Sequence, residues 1–285
     1  PPESQLIAPH GGILVNREAS STDLKSLEGL QVITIDDDTL GDCHLIATGT
    51  YSPLTGFMDQ ENLTSVLDNN SLPDGTAWTL PIILPLPEKI AVNISVGERI
   101  KLASQTGHVH AVLDASEIYP ANIDELAQKW FGTTSNEHPG INRLKKLGDY
   151  FVAGSIKSIS KIPYSFARYE LTPQQCRFVF THKGWRHVVG FHTRNIAHRA
   201  HEYIQLQALE RTHADGLFIN PVLGGKKEGD FLSDPIMKSY QLLFEGGVYP
   251  EGRAVLGGFS TYSRYCGPRE AVFTALCRKN MGCSF

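Results

Sequence analysis

The sequence predicts an α/β protein in which a β-rich N-terminal domain, residues 1–158, precedes a parallel sheet wrapped by helices, residues 159–285. The first half contains short apolar runs broken by proline and glycine, a pattern typical of short strands. After Leu171, strand-like runs alternate with segments of helical period, which indicates a parallel sheet with crossover helices. The hydrophobic fraction of 41% and the charged fraction of 20% are those of an ordinary globular protein.

The N-terminal domain is predicted to consist mainly of strands. The segments expected to form them are LQVITID, HLIATGTY, TAWTLPIILPL, ERIKLAS and HVHAVLDAS. One helix is predicted at ANIDELAQKWF, where Ile123, Leu126, Trp130 and Phe131 share a face. The polar segment TTSNEHPGIN is predicted to be a loop. The punctuation by proline and glycine favours a barrel or a mixed sheet.

The C-terminal domain begins with a predicted helix that has Thr172 as its N-cap and Pro173 at its first position. The strands predicted after it are HVVGF, GLFINPVL and RAVLGGF, and the helices are HRAHEYIQLQALERTHA, SDPIMKSYQLLFEGG and PREAVFTALCRKNMG. In open α/β sheets, ligands bind at the carboxyl ends of the strands, on the loops that enter the helices. Those loops are HTRNIAHRAH, GGKKEGDF and STYSRYCGPRE. Their basic and hydroxyl side chains predict a site for a phosphate-like anion.

Composition argues against several classes of protein. A formal charge of −4 and a pI near 6.3 argue against general binding to nucleic acid or to an anionic membrane surface. No apolar segment approaches the roughly 20 residues that span a bilayer, and the N-terminus lacks the basic start and apolar core of a signal peptide. The five cysteines include no CxxC pair, so we expect small buried residues in a reducing cytoplasm.

The stretch GFHTRNIAHRAHEY is the strongest candidate for the anion site. His198 and His201 stand three residues apart at a predicted helix start, where free backbone amides also attract anions. Arg194 can hold a tetrahedral oxyanion with two parallel donors. A zinc site is one alternative, but the histidine spacing and the lack of an adjacent acidic ligand disfavour it, so no metal site is predicted. A structural histidine pair is the other alternative.

Three further basic residues are accessory candidates. Lys226 and Lys227 follow a double glycine at a strand end, where a ligand role and a merely solvated loop are both open. Arg269 lies in the first turn of the last predicted helix. It could serve the site, or it could have a purely structural role together with Glu270.

Several of these segments resemble the ATP sulfurylase (sulfate adenylyltransferase) family. HTRNIAHRAHE is similar to the QTRNPxHRAHE signature of that family, and the similarity extends over nearly the whole chain. Further matching segments are YSPLTGFM, EHPG, KGWRHVVGF, LGGKKEGD and YCGPREAV. The TRN triplet followed by HxxH, with GPREA after it, is a specific combination.

The resemblance implies a PUA-like N-terminal domain followed by a Rossmann-like nucleotidyltransferase domain of the HIGH superfamily. It implies transfer of AMP from ATP, bound with Mg²⁺, to sulfate, giving adenosine 5′-phosphosulfate and pyrophosphate, or the reverse reaction. Thr193, Arg194 and Asn195 stand at the family's catalytic positions, and these three also belong to its ATP site. His198 and His201 would hold the ATP phosphates. A cytoplasmic homo-oligomer that binds neither nucleic acid nor membrane is expected.

The sequence departs from the family pattern at His192, where the family usually has glutamine. His192 is expected to bind ATP and, together with Arg194, sulfate, and a protonated imidazole would add charge that favours a dianion. The family's GRDHAG motif has no counterpart before Phe285, and a parallel sheet without its next strand would leave an open edge. We therefore expect that the sheet is truncated on its C-terminal side.

Two other functions remain open from sequence alone. One is a catalytically inactive nucleotide- or RNA-binding protein with the same fold, which a basic face in the first half would favour. That half shows no strong run of lysine or arginine. The other is an adenylyltransferase for a phosphorylated vitamin, although such enzymes are usually shorter.

Overall fold

The computed structural model describes residues 6–20, 27–225 and 229–285, and within these ranges the chain forms two β-sheets. The strands are β1 (Val32–Thr34), β2 (Gly56–Phe57), β3 (Pro85–Leu86), β4 (Arg99–Ala103), β5 (Val109–Pro120), β6 (Tyr150–Ser158), β7 (Val188–Thr193), β8 (Gly216–Pro221) and β9 (Ala254–Leu256). The helices are α1 (Asp37–Ala47), α2 (Gln60–Asn69), α3 (Glu88–Ala91), α4 (Ile123–Phe131), α5 (Pro139–Leu147), α6 (Pro173–His182), α7 (Arg199–Arg211), α8 (Ser233–Glu245) and α9 (Pro268–Met281). No helix in the described ranges is both long and apolar enough to cross a membrane.

The N-terminal sheet is mixed, which is one of the two alternatives that the sequence leaves open. Its order is β1-β4-β5-β6-β2, and β3 also pairs with β6. Only the β1–β4 pair is parallel among its ladders. The long strands β5 and β6 form the centre of this sheet. Their antiparallel pairing runs from Ala111 opposite Ser158 to Pro120 opposite Tyr150, with a bulge between Ala115 and Glu117.

The strand predicted at HLIATGTY is wrong, because its first half belongs to α1. Asp36 caps this helix by accepting a hydrogen bond from the Thr39 amide at 3.0 Å. Eight residues of α1 are buried, so the helix is buried on nearly all sides, and its buried residues include the polar Thr39 and Asp42. A fully buried helix then lacks the periodicity that would distinguish it from a buried strand.

Two other N-terminal predictions fail in part. In TAWTLPIILPL only Pro85 and Leu86 join a ladder, although Trp78, Leu80 and Ile82 are buried. Proline has no N–H to donate, which limits regular pairing there. The segment predicted as a loop, TTSNEHPGIN, is helical from Pro139 onward. The helix predicted at ANIDELAQKWF is confirmed as α4, with Leu126 and Trp130 buried.

The C-terminal sheet confirms the predicted alternation of strands and helices. Strands β7, β8 and β9 pair in parallel and in chain order. Helix α6 has the predicted cap at Thr172, reinforced by a reciprocal bond from the Thr172 amide to the Gln175 side chain. Helix α7 packs through Gln205 and Leu209.

Residues 284 and 285 lie along the edge of β7 that faces away from β8. Both amides donate to the Val188 carbonyl, at 2.8 and 3.2 Å, and the Phe285 carbonyl accepts from the Gly190 amide at 2.8 Å. This is the hydrogen-bonding pattern of a parallel pair. Residues 284 and 285 therefore pair with β7 as a short extension of the sheet.

Helix α9 joins the two halves of the molecule. On its N-terminal side, Phe273 contacts Tyr51 and Trp78 edge-on, with ring centroids 5.1 and 5.7 Å apart. Near its end, the Asn280 amide donates to the carbonyls of Thr50 and Ser52, both at 3.0 Å. These contacts hold α9 firmly against the N-terminal domain and so fix the side chains that it presents to β7.

Candidate active site

The turn from β7 into α7 is held rigidly beneath its exposed side chains. Thr193 is buried, and its hydroxyl accepts from the Asn195 amide at 3.1 Å. Further along, the Ala197 amide donates to the Ser239 hydroxyl of α8 at 2.9 Å. Arg194 and Asn195 are exposed above this support. Of the three predicted catalytic residues, Thr193 thus shapes the turn, whereas the other two side chains face outward.

His198 and His201 lie together at the start of α7. Their rings stack with centroids 3.8 Å apart, and His198 occupies the N-cap position without capping the helix through its side chain. Burial, and then the neighbouring His198, lower the pKa of His201 below its usual 6.5. Near neutral pH the His201 ring is therefore uncharged, and a bound phosphate would be needed to favour its protonation.

Arg194 reaches toward the loop that precedes α9. Its guanidinium lies over the Tyr265 ring, 5.5 Å from the centroid, and the Tyr265 hydroxyl donates to Asp230 at 2.9 Å. Tyr265 has a left-handed backbone, with φ of 58°. His192, Arg194 and Tyr265 line one cavity of about 780 Å³ between β7 and α9. The structure therefore brings the first and third predicted loops together at one site.

Sequence reasoning missed the residue that contacts His192 directly. Arg278 of α9 donates from Nη2 to His192 Nδ1 at 2.5 Å, and Arg278 is buried with 5% of its surface exposed. Burial lowers the pKa of Arg278 to about 10, even though the thiols of Cys283 and Cys277 oppose this shift. The sequence did contain a signal, since an arginine stands four residues after Thr274 and one after Cys277 on the buried face of a helix.

This contact disfavours the protonated form of His192, the condition under which the sequence predicts added charge. A guanidinium has only donors, so Nδ1 must accept and cannot carry a proton in this arrangement. The imidazole is then neutral, with its proton on Nε2. The positive charge next to His192 comes from Arg278 instead.

The structure describes only one of the three accessory candidates, Arg269. Arg269 donates to the backbone carbonyls of Val66 and Leu67, at 3.0 and 2.7 Å, which is the structural alternative left open by the sequence. Lys226 and Lys227 lie outside the described residues. The glycines before them serve packing, since a Cβ on Gly224 would come within 2.2 Å of the Thr261 carbonyl oxygen.

The donors around the turn suit an anion. Within the described ranges, no group of three or more histidine, cysteine, aspartate or glutamate side chains could hold a metal ion. Arginine, histidine and asparagine side chains predominate at the β7–α7 turn instead. A magnesium ion would therefore fit here as part of a nucleotide complex, with its charge offset by phosphate.

A parallel α/β sheet behind a β-rich domain, with a turn rich in basic and polar side chains at the end of its first strand, is the arrangement of a nucleotidyltransferase-like fold. Family models match both halves, a PUA-like domain over residues 7–161 and ATP-sulfurylase over residues 167–285. The chain belongs to the ATP-sulfurylase family.

Individual relatives agree with this assignment. The chain is 40% identical over 283 residues to a sulfate adenylyltransferase of Synechococcus sp. (strain JA-3-3Ab), covering 98% of this chain and 71% of that protein. It is 41% identical over 278 residues to the sulfate adenylyltransferase of Thermococcus onnurineus (strain NA1), covering 96% and 72%. A solved structure, the hexameric APS kinase from Thiobacillus denitrificans, shares the fold with a TM-score of 0.80 at 23% identity, over 98% of this chain and 52% of that one.

Proposed function

We propose that this chain transfers the adenylyl group of ATP to sulfate at the β7–α7 turn. The observation that carries the proposal is the outward-facing cationic and polar row from His192 through Arg194 to the stacked pair His198 and His201. One end of this row lines a cavity large enough for substrates, and the other lies at the start of a helix. Such an arrangement suits a small oxyanion at one end and a polyphosphate at the other.

The reaction is an in-line displacement. A sulfate oxygen attacks the α-phosphorus, and a new S–O–P link forms as the bond from the α-phosphorus to the bridging β-phosphate oxygen breaks. Pyrophosphate leaves with the bonding electron pair, so the step needs neither a protein nucleophile nor a redox partner. The reverse reaction uses the same geometry.

Each residue at the turn has a role in this scheme. Arg194, placed over Tyr265, binds sulfate and neutralises charge that builds up at the α-phosphate. Asn195 donates to the same region, while buried Thr193 holds the turn in shape. His198 and His201 bind the outer phosphates. Bound Mg²⁺, arriving with ATP, would neutralise the phosphate charge and help the leaving group depart.

Replacing Arg194 tests this assignment. Arg194→Ala should lower sulfate-dependent pyrophosphate release from ATP by about 10²–10³-fold, the usual effect of removing one transition-state donor. Arg186→Ala is the matched control, because Arg186 is an exposed arginine just before the other end of β7. Near-normal release by Arg194→Ala would overturn the assignment. Tight RNA binding in a gel-shift assay, without ATP binding, would favour a non-catalytic binding protein.

Two broader properties belong to the same proposal. The five cysteines are all buried and unpaired, as expected from the sequence, which supports a reducing, cytoplasmic location. A homo-oligomer is supported by exposed apolar side chains such as Phe178, which is 71% exposed. Light scattering coupled to size-exclusion chromatography measures the oligomeric state directly.

A further inference from the structure

We infer that Arg278 is a positioning residue for the oxyanion subsite, because it holds His192 as a neutral Nε2–H donor that binds sulfate together with Arg194. The inference rests on the proposed function and deepens it. It adds a buried residue on a different element, 86 positions along the chain from His192. Arg278 is not expected to touch sulfate itself.

Arg278 is a buried cation with only neutral partners in the described structure. Its guanidinium donates to the Thr274 carbonyl at 2.6 Å, to the Asn220 carbonyl at 3.5 Å and to His192 Nδ1. It also lies over the Phe259 ring, and no carboxylate of the described residues forms an ion pair with it. Buried charges are normally paired because desolvation disfavours them. A buried arginine whose polar contacts include a site histidine therefore points to a role in that site.

The backbone of β7 places His192 and Arg194 side by side. Side chains alternate along a strand, and the buried Thr193 separates the two exposed residues. His192 and Arg194 consequently lie on one side of the strand end, and both line the cavity. Arg278 approaches His192 from α9, which forms another wall of the same cavity.

The contact with Arg278 determines what His192 can offer to a ligand. Since Nδ1 accepts from the guanidinium, the ring proton resides on Nε2. A neutral N–H beside a permanent cation donates to sulfate over the whole neutral pH range. Without Arg278, the ring could rotate, change tautomer or take up a second proton, and the fixed donor would be lost.

The other titratable and charged groups near Arg278 are two buried thiols, one glutamate and two further cations. The thiols of Cys277 and Cys283 face it, and burial raises the pKa of each to about 12. Glu270, at the cavity wall, accepts from the amides of Arg264 and Cys266 at 2.7 and 3.4 Å. Lys279 and Arg194 complete the charged lining. His192 is thus the group whose proton should respond when Arg278 is removed.

The kinetic test separates sulfate from ATP. Arg278→Met should raise the KM for sulfate by about 10–100-fold, the effect of losing a charge-assisted contact, and should change the KM for MgATP less than about threefold. Arg177→Met is the control, because Arg177 is a partly buried arginine that supports the end of α9 through the Asn280 and Lys279 carbonyls. Equal changes in both KM values for Arg278→Met, or the same sulfate effect for Arg177→Met, would overturn the inference.

A double variant tests whether Arg278 acts through His192. His192→Ala should also raise the KM for sulfate, and adding Arg278→Met should raise it no more than about twofold further. Multiplicative effects would mean that the two residues act independently, which contradicts the positioning role. Arg278→Lys keeps a charge without the planar fork, and we expect an intermediate KM for sulfate.

An independent measurement requires no turnover. Nitrogen-15 NMR of labelled histidine, with His192 assigned by comparison with His192→Ala, should show a protonated Nε2 and an unprotonated Nδ1 between about pH 6 and pH 8. In Arg278→Met or Arg278→Lys this pattern should change. The opposite tautomer in the unmodified protein would overturn the inference even if the enzyme is active. Absence of pyrophosphate release with the predicted tautomer would instead count against the proposed function.

Discussion

Arg264 and Arg278 are both buried, with 3% and 5% of their surfaces exposed, but their surroundings differ. Arg264 lies at the junction with the N-terminal domain and donates to the Asp42 carboxylate at 2.6 Å and to the Thr261 hydroxyl at 3.1 Å. Arg278 lies beside the candidate active site and donates to two carbonyls and to His192. In the described structure the Nε atom of each arginine lacks a hydrogen-bond partner. The two arginines therefore differ in that only Arg264 has a carboxylate partner, Asp42.

The pKa values respond to this difference in opposite directions. Burial lowers the pKa of Arg264, but Asp42, Tyr262 and Tyr51 together more than offset it and raise the pKa well above its usual value. Burial lowers the pKa of Arg278 to about 10 because no carboxylate compensates for the lost hydration. Arg264 has its charge compensated by Asp42 at the junction between domains, whereas the uncompensated Arg278 uses one of its donors to hold His192. Local destabilisation of this kind is common at functional sites.

The largest effect is expected at the junction. Arg264→Met leaves Asp42 buried without its partner and should lower the free energy of unfolding by about 3–5 kcal/mol. Chemical denaturation followed by fluorescence and circular dichroism measures this loss. Arg99→Met is the control, since the Arg99–Asp114 pair has side chains 34% and 40% exposed and should contribute about 0–1 kcal/mol.

The double variant Asp42→Leu with Arg264→Met sharpens the same comparison. Replacing both ions by apolar side chains should recover most of the lost stability, because no buried charge is left unpaired. If the double variant is less stable than Arg264→Met alone, the hydrogen bonds from Tyr51 and Tyr262 to Asp42 matter more than the ion pair.

Much of the fold could be predicted because its signals are local. The N-cap at Thr172, the strand at HVVGF and the helix beginning at Pro268 follow from residues close together in the sequence. Helix α1 was not predicted because its burial on nearly all sides removed the amphipathic period. Whether a segment is buried on one side or on all sides depends on distant parts of the chain.

The same contrast between local and long-range signals applies to the candidate site. The TRN triplet and the two histidines could be found because they occupy one turn. Arg278 and its contact with His192 could not, since α9 must first pack on β7 to bring them together. Arg269 was an accessory candidate by its place in the sequence, but its guanidinium points to carbonyls of the N-terminal domain. Sequence identifies chemistry within a turn more readily than chemistry between elements.

An intermediate effect is expected at Asp38, a partly buried acid near the junction. Burial raises its pKa to about 6, although Arg143, 3.5 Å away, opposes the shift. An acid whose pKa is higher in the folded state destabilises that state once the pH exceeds the unfolded value of 3.8, and the effect is complete above about 6. The stability gained by Asp38→Asn should therefore grow by about 1–2 kcal/mol between pH 4.5 and pH 8.

Denaturation of both proteins across this pH range checks the Asp38 prediction. Only the difference between variant and unmodified protein is used, because carboxylates far from Asp38 titrate equally in both, whereas Asp36 and Asp42 interact with it. Asp114→Asn, at the exposed pair with Arg99, provides the control. A difference that shrinks as the pH rises would mean that Arg143 and not burial dominates at Asp38.

The smallest effect on stability is expected at the active site. Arg278→Met removes a buried cation that has no carboxylate partner and replaces it with a flexible apolar side chain that fills the space of the aliphatic part of arginine. The lost hydrogen bonds and the relieved desolvation should roughly offset each other, so the free energy of unfolding should change by less than about 1 kcal/mol or rise. The same denaturation experiment, run beside Arg264→Met, compares the two arginines directly. A loss of stability at Arg278 as large as that at Arg264 would mean that both cations are structural, and that the contact with His192 is a consequence of packing and not a device for binding sulfate.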